Sequence, residues 1–300
     1  MPTEINAQMV KELRECTGAG MMDCKKALTE SGGDMDAAVD LLRTKGLAAL
    51  AKKAGRATNE GIIGGHVSDD GRVGVLVEVN CETDFVARNE DFKNFVASVA
   101  AHISAAAPAD VAELMAQQFT GREHTFEQVL GEIVGKLGEN MGVARFSRYE
   151  LSADAGSITV YVHGVGNIAV MLEAVTGSSE AAASDTFATF ARDVAMQIAA
   201  TAPISIGRDN VPADVTEHEL AIYKAQAAES GKPEPIQQKM AEGRLEKFFK
   251  EVTLLEQPFV KDNDITVSGY LDKTAKSLGT TIEIVRFERL VLGETAGNAE

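Results

Sequence analysis

The chain contains no tryptophan and only three cysteines among its 300 residues. Cys16, Cys24 and Cys81 are too few and too unevenly spaced for a disulfide framework or a zinc site. We therefore expect no bound metal and a reducing, cytoplasmic environment. We expect Cys16 and Cys24 to serve as semi-buried small hydrophobic residues.

Long hydrophobic runs are missing as well, because polar or basic residues interrupt every apolar stretch at about the length of a strand. This pattern predicts no membrane-spanning helix. The opening residues, MPTEINAQMVKEL, lack a basic segment followed by a continuous apolar one, so we do not expect a signal peptide. With 45% hydrophobic and 25% charged residues, the composition is that of an ordinary soluble chain of two or three domains.

Positive charge is in deficit, and the formal net charge is −16. This balance argues against a non-specific nucleic-acid binder, because neutralising phosphates requires a surplus of Lys and Arg. Residues 1–55 contain eight basic and eight acidic residues, whereas residues 56–300 contain 21 and 37. A neutral head on an acidic body indicates separate modules.

The head reads as three short helices. Apolar residues recur at helical spacing from 6 to 16, and a second helix is predicted over Met21–Glu30 after Gly18-Ala19-Gly20. Asp34 is expected to cap the third helix, and Gly46 to lie just beyond its end. The basic, Ala-rich segment 47–59 is predicted to be either a helix or a linker to the body.

Met21 and Met22 are adjacent at the start of the second helix. A single Met in so small a module most often fills its core. Adjacent helical residues point about 100° apart, however, so we do not expect both to be buried equally. An exposed thioether adapts well to a partner surface, and we predict this role for one of the pair.

The body is an internal duplication. Residues 61–108 align without a gap to 156–203, with 15 identities in 48 positions, and each copy reads as a β-hairpin followed by a helix. A further match at an offset of 141 pairs the segments 142–151 and 281–292 as the third strand of each sheet. The second copy is therefore 46 residues longer, since 141 − 95 = 46.

The additional residues predict a helical hairpin at about 212–253. Two helical patterns, 216–230 and 236–251, flank the turn sequence SGKPEP. Such a hairpin could contact a partner protein, contact a second copy in a homodimer, or fold back on its own sheet, and the sequence leaves these alternatives open.

The two copies disagree in the loop after the central strand. The first copy has NCETDFV at 80–86, and the second has VTGSSEA at 175–181, so Glu180 stands where the first copy has Phe85. The scaffold therefore does not require an aromatic residue there. Phe85 could still pack against the helix of Phe92, but the asymmetry favours Asp84 and Phe85 as exposed residues of a loop site.

Patterns typical of other chemistry are missing. The chain lacks GxxxxGK[ST], and its five histidines are scattered without a nucleophile beside them. Residues 164–169 imitate a dinucleotide-binding fingerprint, but that motif must open a helix, and the repeat predicts a hairpin turn here. We therefore expect neither covalent catalysis nor a cofactor.

Two segments resemble the signatures of the bacterial elongation factor Ts family. They are VKELRECTGAGMMDCKKAL at 10–28 and EVNCETDFVA at 78–87, and SGKP, EGR and QPFV further along are similar to its helical hairpin and the following strand. The resemblance implies an α+β fold. It implies a ubiquitin-associated-like three-helix domain at 1–55 and two duplicated subdomains with three-stranded antiparallel sheets at 56–150 and 151–293, the second carrying the hairpin as a coiled coil.

The resemblance also implies a function, that of a guanine-nucleotide exchange factor in translation elongation. Such a factor binds elongation factor Tu in its GDP-bound and nucleotide-free states, displaces Mg²⁺ and releases GDP. The resemblance assigns partner contacts in three groups: Thr83, Asp84, Phe85 and Val86 near the magnesium; Leu13, Arg14, Met21, Met22 and Lys25 in the head; and His163 with Gly164 in the second copy.

Two competing hypotheses belong to other classes of protein. One is a passive, chaperone-like binding module, and the other is an enzyme that uses 164–169 as a cofactor loop. Some members of the resembled family also end in an extra helical module that contacts the partner. Here only ETAGNAE follows Gly293, and we expect residues 294–300 to be disordered.

Overall fold

The computed structural model describes residues 5–294. It divides into two compact units: the first runs through Tyr149 and includes Val162–Ala169 and the segment from Leu290, and the second comprises Glu150–Tyr161 and Val170–Arg289. The expected disordered tail lies, from residue 295 onward, outside the described residues. None of the helices described is long and apolar enough to cross a membrane.

The head forms the three predicted helices within the first unit. They are α1 (Ala7–Thr17), α2 (Met21–Glu30) and α3 (Met35–Lys53). Asn6 caps α1 by accepting a hydrogen bond from the Met9 N–H, and Asp34 caps α3 in the same way from Ala37. Leu13, Cys24 and Leu28 lie in the small core between the helices.

Gly46 does not follow the third helix, contrary to the prediction. It lies inside α3, which continues to Lys53 and so takes up most of the segment that had been open as helix or linker. The reason is close packing: a Cβ on Gly46 would lie 2.9 Å from the carbonyl oxygen of Gly131, which belongs to the helix Phe126–Leu137 of the same unit. The glycine permits contact between two helix backbones rather than ending a helix.

The first copy is a three-stranded sheet covered by helices. Its elements are β1 (Glu60–Val67), β2 (Val73–Cys81), α4 (Asp84–Ala87), α5 (Glu90–Ala106), α6 (Val111–Ala116), α7 (Phe126–Leu137) and β3 (Met141–Glu150). The strand order is β1-β2-β3, with β1 and β2 antiparallel. Phe92, Phe95 and Val99 of α5 pack with Val75, Val77 and Val79 of β2 in one hydrophobic core.

The second copy repeats this plan and carries the hairpin. Its elements are β4 (Gly156–His163), β5 (Ile168–Thr176), α8 (Ser179–Ala182), α9 (Asp185–Thr201), α10 (Ala213–Ala228), α11 (Glu234–Val252), β6 (Pro258–Phe259), β7 (Asp262–Thr266), α12 (Val267–Leu278) and β8 (Ile282–Val291). The sheet order is β4-β5-β8. Helices α10 and α11 are the two arms of the predicted hairpin.

The duplication extends to ion pairs in which a buried glutamate contacts a partly exposed arginine. Glu78 is buried in β2 and accepts a hydrogen bond from Arg145 Nε at 2.8 Å, and Glu173 of β5 accepts one from Arg286 Nε at 2.6 Å. Glu173 also binds the amide and hydroxyl of Ser152. Burial by itself would raise the pKa of Glu173, but the hydrogen bonds from Ser152 and Arg286 outweigh it and lower that pKa.

Candidate functional site

The loop between β2 and α4 carries the predicted site. Its Thr83 is the N-cap of α4, and its hydroxyl accepts a hydrogen bond from the Val86 N–H. A cap is important here because α4 spans only four residues and has little stability of its own. Asp84 and Phe85 thus occupy the first turn of a short, capped helix.

Phe85 points into solvent, with 82% of its surface exposed. Val86 beside it is buried against the first core, and so is Phe92 at the start of α5. The structure therefore confirms the prediction that Phe85 is exposed, and it places Phe92 in the core. An exposed aromatic ring on a capped turn offers apolar surface to a partner.

Two carboxylates that we did not single out from the sequence tie this loop to the one between α7 and β3. Glu139 accepts hydrogen bonds from the Thr83 N–H (3.0 Å) and the Thr83 hydroxyl (2.6 Å). In return, Glu82 accepts one from the Asn140 N–H at 2.6 Å, and Arg56 donates another. We call this reciprocal arrangement of Glu82 and Glu139 the loop clasp.

The electrostatics of the loop follow from these contacts. The hydrogen bond from the Asn140 N–H, together with Arg56, lowers the pKa of Glu82. Burial, with the Glu139 carboxylate nearby, raises the pKa of the Cys81 thiol to about 12, so this cysteine stays protonated and unreactive. Asp84 pairs with Arg88 at 3.1 Å, but both side chains are well exposed. Such a pair contributes little and can exchange partners.

The equivalent loop of the second copy has the cap but different side chains. Ser178 caps α8 by accepting a hydrogen bond from Ala181 at 3.3 Å. The positions equivalent to Glu82 and Glu139 hold Gly177 and Thr280, and the exposed position of Phe85 holds Glu180. Comparing the copies at the 141-residue offset shows that Glu139 and Thr280 differ, but the sequence does not show that these positions face an N-cap.

Most of the head residues expected to contact a partner lie at the surface. Met21 is 59% exposed and Met22 is 74% exposed, so both members of the pair lie outside the core, where we had predicted one. Arg14 and Lys25 are also exposed. Leu13 is the correction: its side chain is fully buried among the three helices and cannot touch a partner directly.

Of the first two cysteines, Cys24 is buried and Cys16 is exposed, so the semi-buried prediction is wrong for Cys16. Burial raises the pKa of the Cys24 thiol. Cys16 is near the C-terminal end of α1 and donates a hydrogen bond to the Leu13 carbonyl. Because their pKa values are raised, the thiols of Cys24 and Cys81 stay protonated and are poor nucleophiles.

His163 and Gly164 lie where β4 ends and the turn to β5 begins. Both are exposed, and the turn belongs to the first unit, where the Gly166 carbonyl accepts a hydrogen bond from the Ile63 N–H at 2.8 Å. The glycine-rich segment therefore connects two strands and opens no helix. It fails the structural requirement of a dinucleotide fingerprint.

Metal ligands are not gathered at any of these positions. Within residues 5–294, no group of three or more His, Cys, Asp or Glu side chains is placed to hold an ion. The arrangement of the loop is instead suited to recognition: the Asp84 carboxylate and the Phe85 ring are adjacent on a short turn that the loop clasp holds in place.

Comparison with known proteins identifies the family. A family model described as "Elongation factor TS" matches residues 82–294. The chain is 49% identical over 291 residues to the elongation factor Ts of Trichlorobacter lovleyi, with 97% of this chain and 93% of the relative covered. The elongation factor Ts proteins of Clostridium perfringens strain SM101 and Clostridium kluyveri are 49% and 46% identical, with the same coverage. The chain belongs to the elongation factor Ts family of translation elongation factors.

Proposed function

We propose that this chain is the guanine-nucleotide exchange factor of elongation factor Tu. It binds the GDP-bound partner, promotes loss of Mg²⁺ and GDP, and leaves a nucleotide-free complex to which GTP can bind. The observation that carries the proposal is the exposed Phe85, held on a clasped turn that the second copy of the same fold lacks.

The physical basis is thermodynamic coupling. A factor that binds the nucleotide-free partner more tightly than the GDP-bound one weakens GDP binding by the same ratio. Phe85 supplies part of this difference if its ring is buried only after the nucleotide site opens. Full burial of a Phe side chain is worth about 1.5–3 kcal/mol.

Asp84 acts on the metal indirectly. Its carboxylate, released from the exposed pair with Arg88, disturbs the water and hydrogen-bond network around the partner's Mg²⁺. Loss of that cation leaves the phosphates of GDP without their main counter-charge, and GDP departs faster. Thr83 and Val86 serve as cap and anchor of the same turn.

The head supplies affinity. Arg14, Met21, Met22 and Lys25 offer flexible apolar surface flanked by positive charge, which suits a partner domain with an apolar and acidic face. Leu13 maintains the core beneath them. His163 and Gly164 form a second, smaller contact. No step makes or breaks a covalent bond, so the chain is not an enzyme in that sense and needs no cofactor.

Two further expectations belong to this proposal. Translation factors of this kind act in the cytoplasm, which we propose as the location of this chain. The hairpin of α10 and α11 contacts either elongation factor Tu or a second copy of the chain. Light scattering of the chain alone and of its complex distinguishes a homodimer from a partner contact.

The test is to load elongation factor Tu with a fluorescent GDP analogue and time its release with and without the chain. We expect release to accelerate with the concentration of the chain and then saturate. The chain alone should bind neither GDP nor GTP. Unchanged release despite complex formation would favour a passive binding module and overturn the proposal.

A further inference from the structure

The loop clasp connects two loops by crossed hydrogen bonds. Glu139, just before β3, receives both donors of Thr83, while Glu82, just before Thr83, receives the N–H of Asn140. Each loop therefore contributes one carboxylate and one backbone amide. Charge-assisted hydrogen bonds of this kind are stronger than those between neutral groups.

The bond from the Thr83 hydroxyl to Glu139 sets the direction of the cap. Because the hydroxyl proton is used on Glu139, an oxygen lone pair is left for the Val86 N–H. This hydroxyl orients the start of α4, while the buried side chains of Val86 and Ala87 anchor its other face. A helix of four residues has little stability of its own, so the direction of Phe85 in its first turn depends strongly on the cap.

The second copy shows that the fold does not need the clasp. There Ser178 caps α8 without a carboxylate opposite, because Thr280 stands at the equivalent of Glu139 and Gly177 at that of Glu82. The clasp therefore occurs in the copy that exposes Phe85 and not in the copy that exposes Glu180. Because the clasp occurs together with the exposed ring, we interpret it as orienting Phe85 rather than as stabilising the fold.

We propose that Glu139 is a positioning residue for nucleotide exchange. It holds Thr83 so that α4 presents Phe85 and Asp84 to the partner in one orientation, and it contacts neither nucleotide nor partner. This inference rests on the proposed function. It predicts that removing Glu139 lowers the maximal exchange rate rather than the affinity, because the ring must find its orientation after docking.

The test uses the absence of tryptophan from the chain. Trp introduced by Phe85→Trp is then the only indole, and its time-resolved anisotropy reports the mobility of α4 without any partner present. In this background, Glu139→Thr, which installs the residue of the second copy, should shorten the rotational correlation time of the indole. Glu132→Thr is the matched control, since Glu132 is a partly buried, ion-paired carboxylate in the same unit.

Exchange is measured with Phe85 in place. Glu139→Thr should lower the kcat of GDP release about tenfold and change KM by less than about twofold, while Glu132→Thr stays at the wild-type values. Glu139→Gln keeps one oxygen that can accept the hydrogen bond from the Thr83 hydroxyl, so the cap is preserved and most of the rate should be recovered. The melting temperature should fall by no more than a few degrees in any of the three variants.

Contrary results are distinguishable. Unchanged indole mobility in Glu139→Thr, or increased mobility with unchanged kcat, overturns the positioning role. If Glu139→Thr lowers the melting temperature strongly, and Glu139→Gln folds but does not recover kcat, the residue is structural and the proposal is again wrong. If Phe85→Ala exchanges at the wild-type rate, the proposed function of the loop fails, whereas the anisotropy result, which needs no partner, still stands.

Discussion

Truncating Phe85 to alanine separates recognition from folding in this chain. The side chain is 82% exposed, so its removal withdraws little surface from the core. We expect the free energy of unfolding to change by no more than about 0.5 kcal/mol, as is usual for surface substitutions. Phe92→Ala, in contrast, removes a fully buried ring and should cost about 3–5 kcal/mol.

The effect on exchange follows from the same exposed surface. Burying a whole Phe side chain is worth about 1.5–3 kcal/mol, and the 82% that is exposed makes about 1.2–2.5 kcal/mol of this available to a partner. At 1.36 kcal/mol per tenfold change in rate, Phe85→Ala should slow GDP release about 8- to 70-fold. Under the proposed function the ring is buried only as the nucleotide site opens, so the loss should be in kcat rather than in KM.

The assay is stopped-flow release of a fluorescent GDP analogue from elongation factor Tu, measured over a range of factor concentrations. Thermal and denaturant unfolding of each variant are measured in parallel. Glu180→Ala is the matched control, because Glu180 is exposed at the equivalent position of the second copy and should leave exchange unchanged. The reasoning is refuted if Phe85→Ala unfolds like a core variant, or if it remains folded and exchanges as fast as the wild type.

The remaining predictions concern the head, its packing and the second sheet. Met21→Ala and Met22→Ala should weaken the complex roughly 5- to 40-fold in titrations without lowering the melting temperature, and a wild-type affinity in both would remove the head from the interface. Gly46→Ala places a Cβ 2.9 Å from a backbone carbonyl and should destabilise the chain by about 1–3 kcal/mol in denaturant unfolding; Gly55→Ala, with nothing within 4 Å, should not. The lowered pKa of Glu173 means that its contribution to stability is present above its ordinary value of 4.5 and is lost as pH falls through the folded value. In Glu173→Gln, the free energy of unfolding should therefore fall less between neutral and acid pH than in the wild type. An unchanged fall would contradict the assignment.

The sequence predicted the parts of the fold that the two copies share. Alignment of the copies located both hairpins, the long helices α5 and α9, the third strands and the position of the insert. Helices α7 and α12 escaped this comparison because the copies agree there at only a few positions: the N-caps Thr125 and Thr266, Leu130 with Leu271, and the closing Leu-Gly. In α7, however, Phe126, Val129 and Leu130 follow helical spacing and are buried. Periodicity read by itself would have found α7.

Errors arose where one residue type serves two physical purposes. Gly46 resembled a helix end, but its missing side chain allows α3 to approach α7, a contact between segments 85 residues apart that local patterns do not encode. Leu13 lies within a motif that the resemblance assigned to partner binding, yet its side chain is fully buried in the core of the head. For Phe85, the comparison of copies distinguished core from surface because it placed Glu at the same position.

Glu139 shows what remained out of reach without coordinates. A carboxylate that accepts two hydrogen bonds from a loop 56 residues earlier leaves no local signal. Only the folded structure shows that Thr83 lies within hydrogen-bonding distance of Glu139. The difference between Glu139 and Thr280 is visible in the sequence, but its meaning depends on knowing that both positions face an N-cap.

The central claim is coupling between the chain and the nucleotide, and equilibrium binding tests it most directly. The affinity of the chain is measured for GDP-bound and for nucleotide-free elongation factor Tu, and the affinity of GDP is measured for the partner with and without the chain. We predict tighter binding to the nucleotide-free partner, and the ratio of the first two affinities should equal the ratio of the second two. Equal affinity of the chain for both states of the partner would contradict the account, because a protein that binds both states equally cannot shift the equilibrium between them.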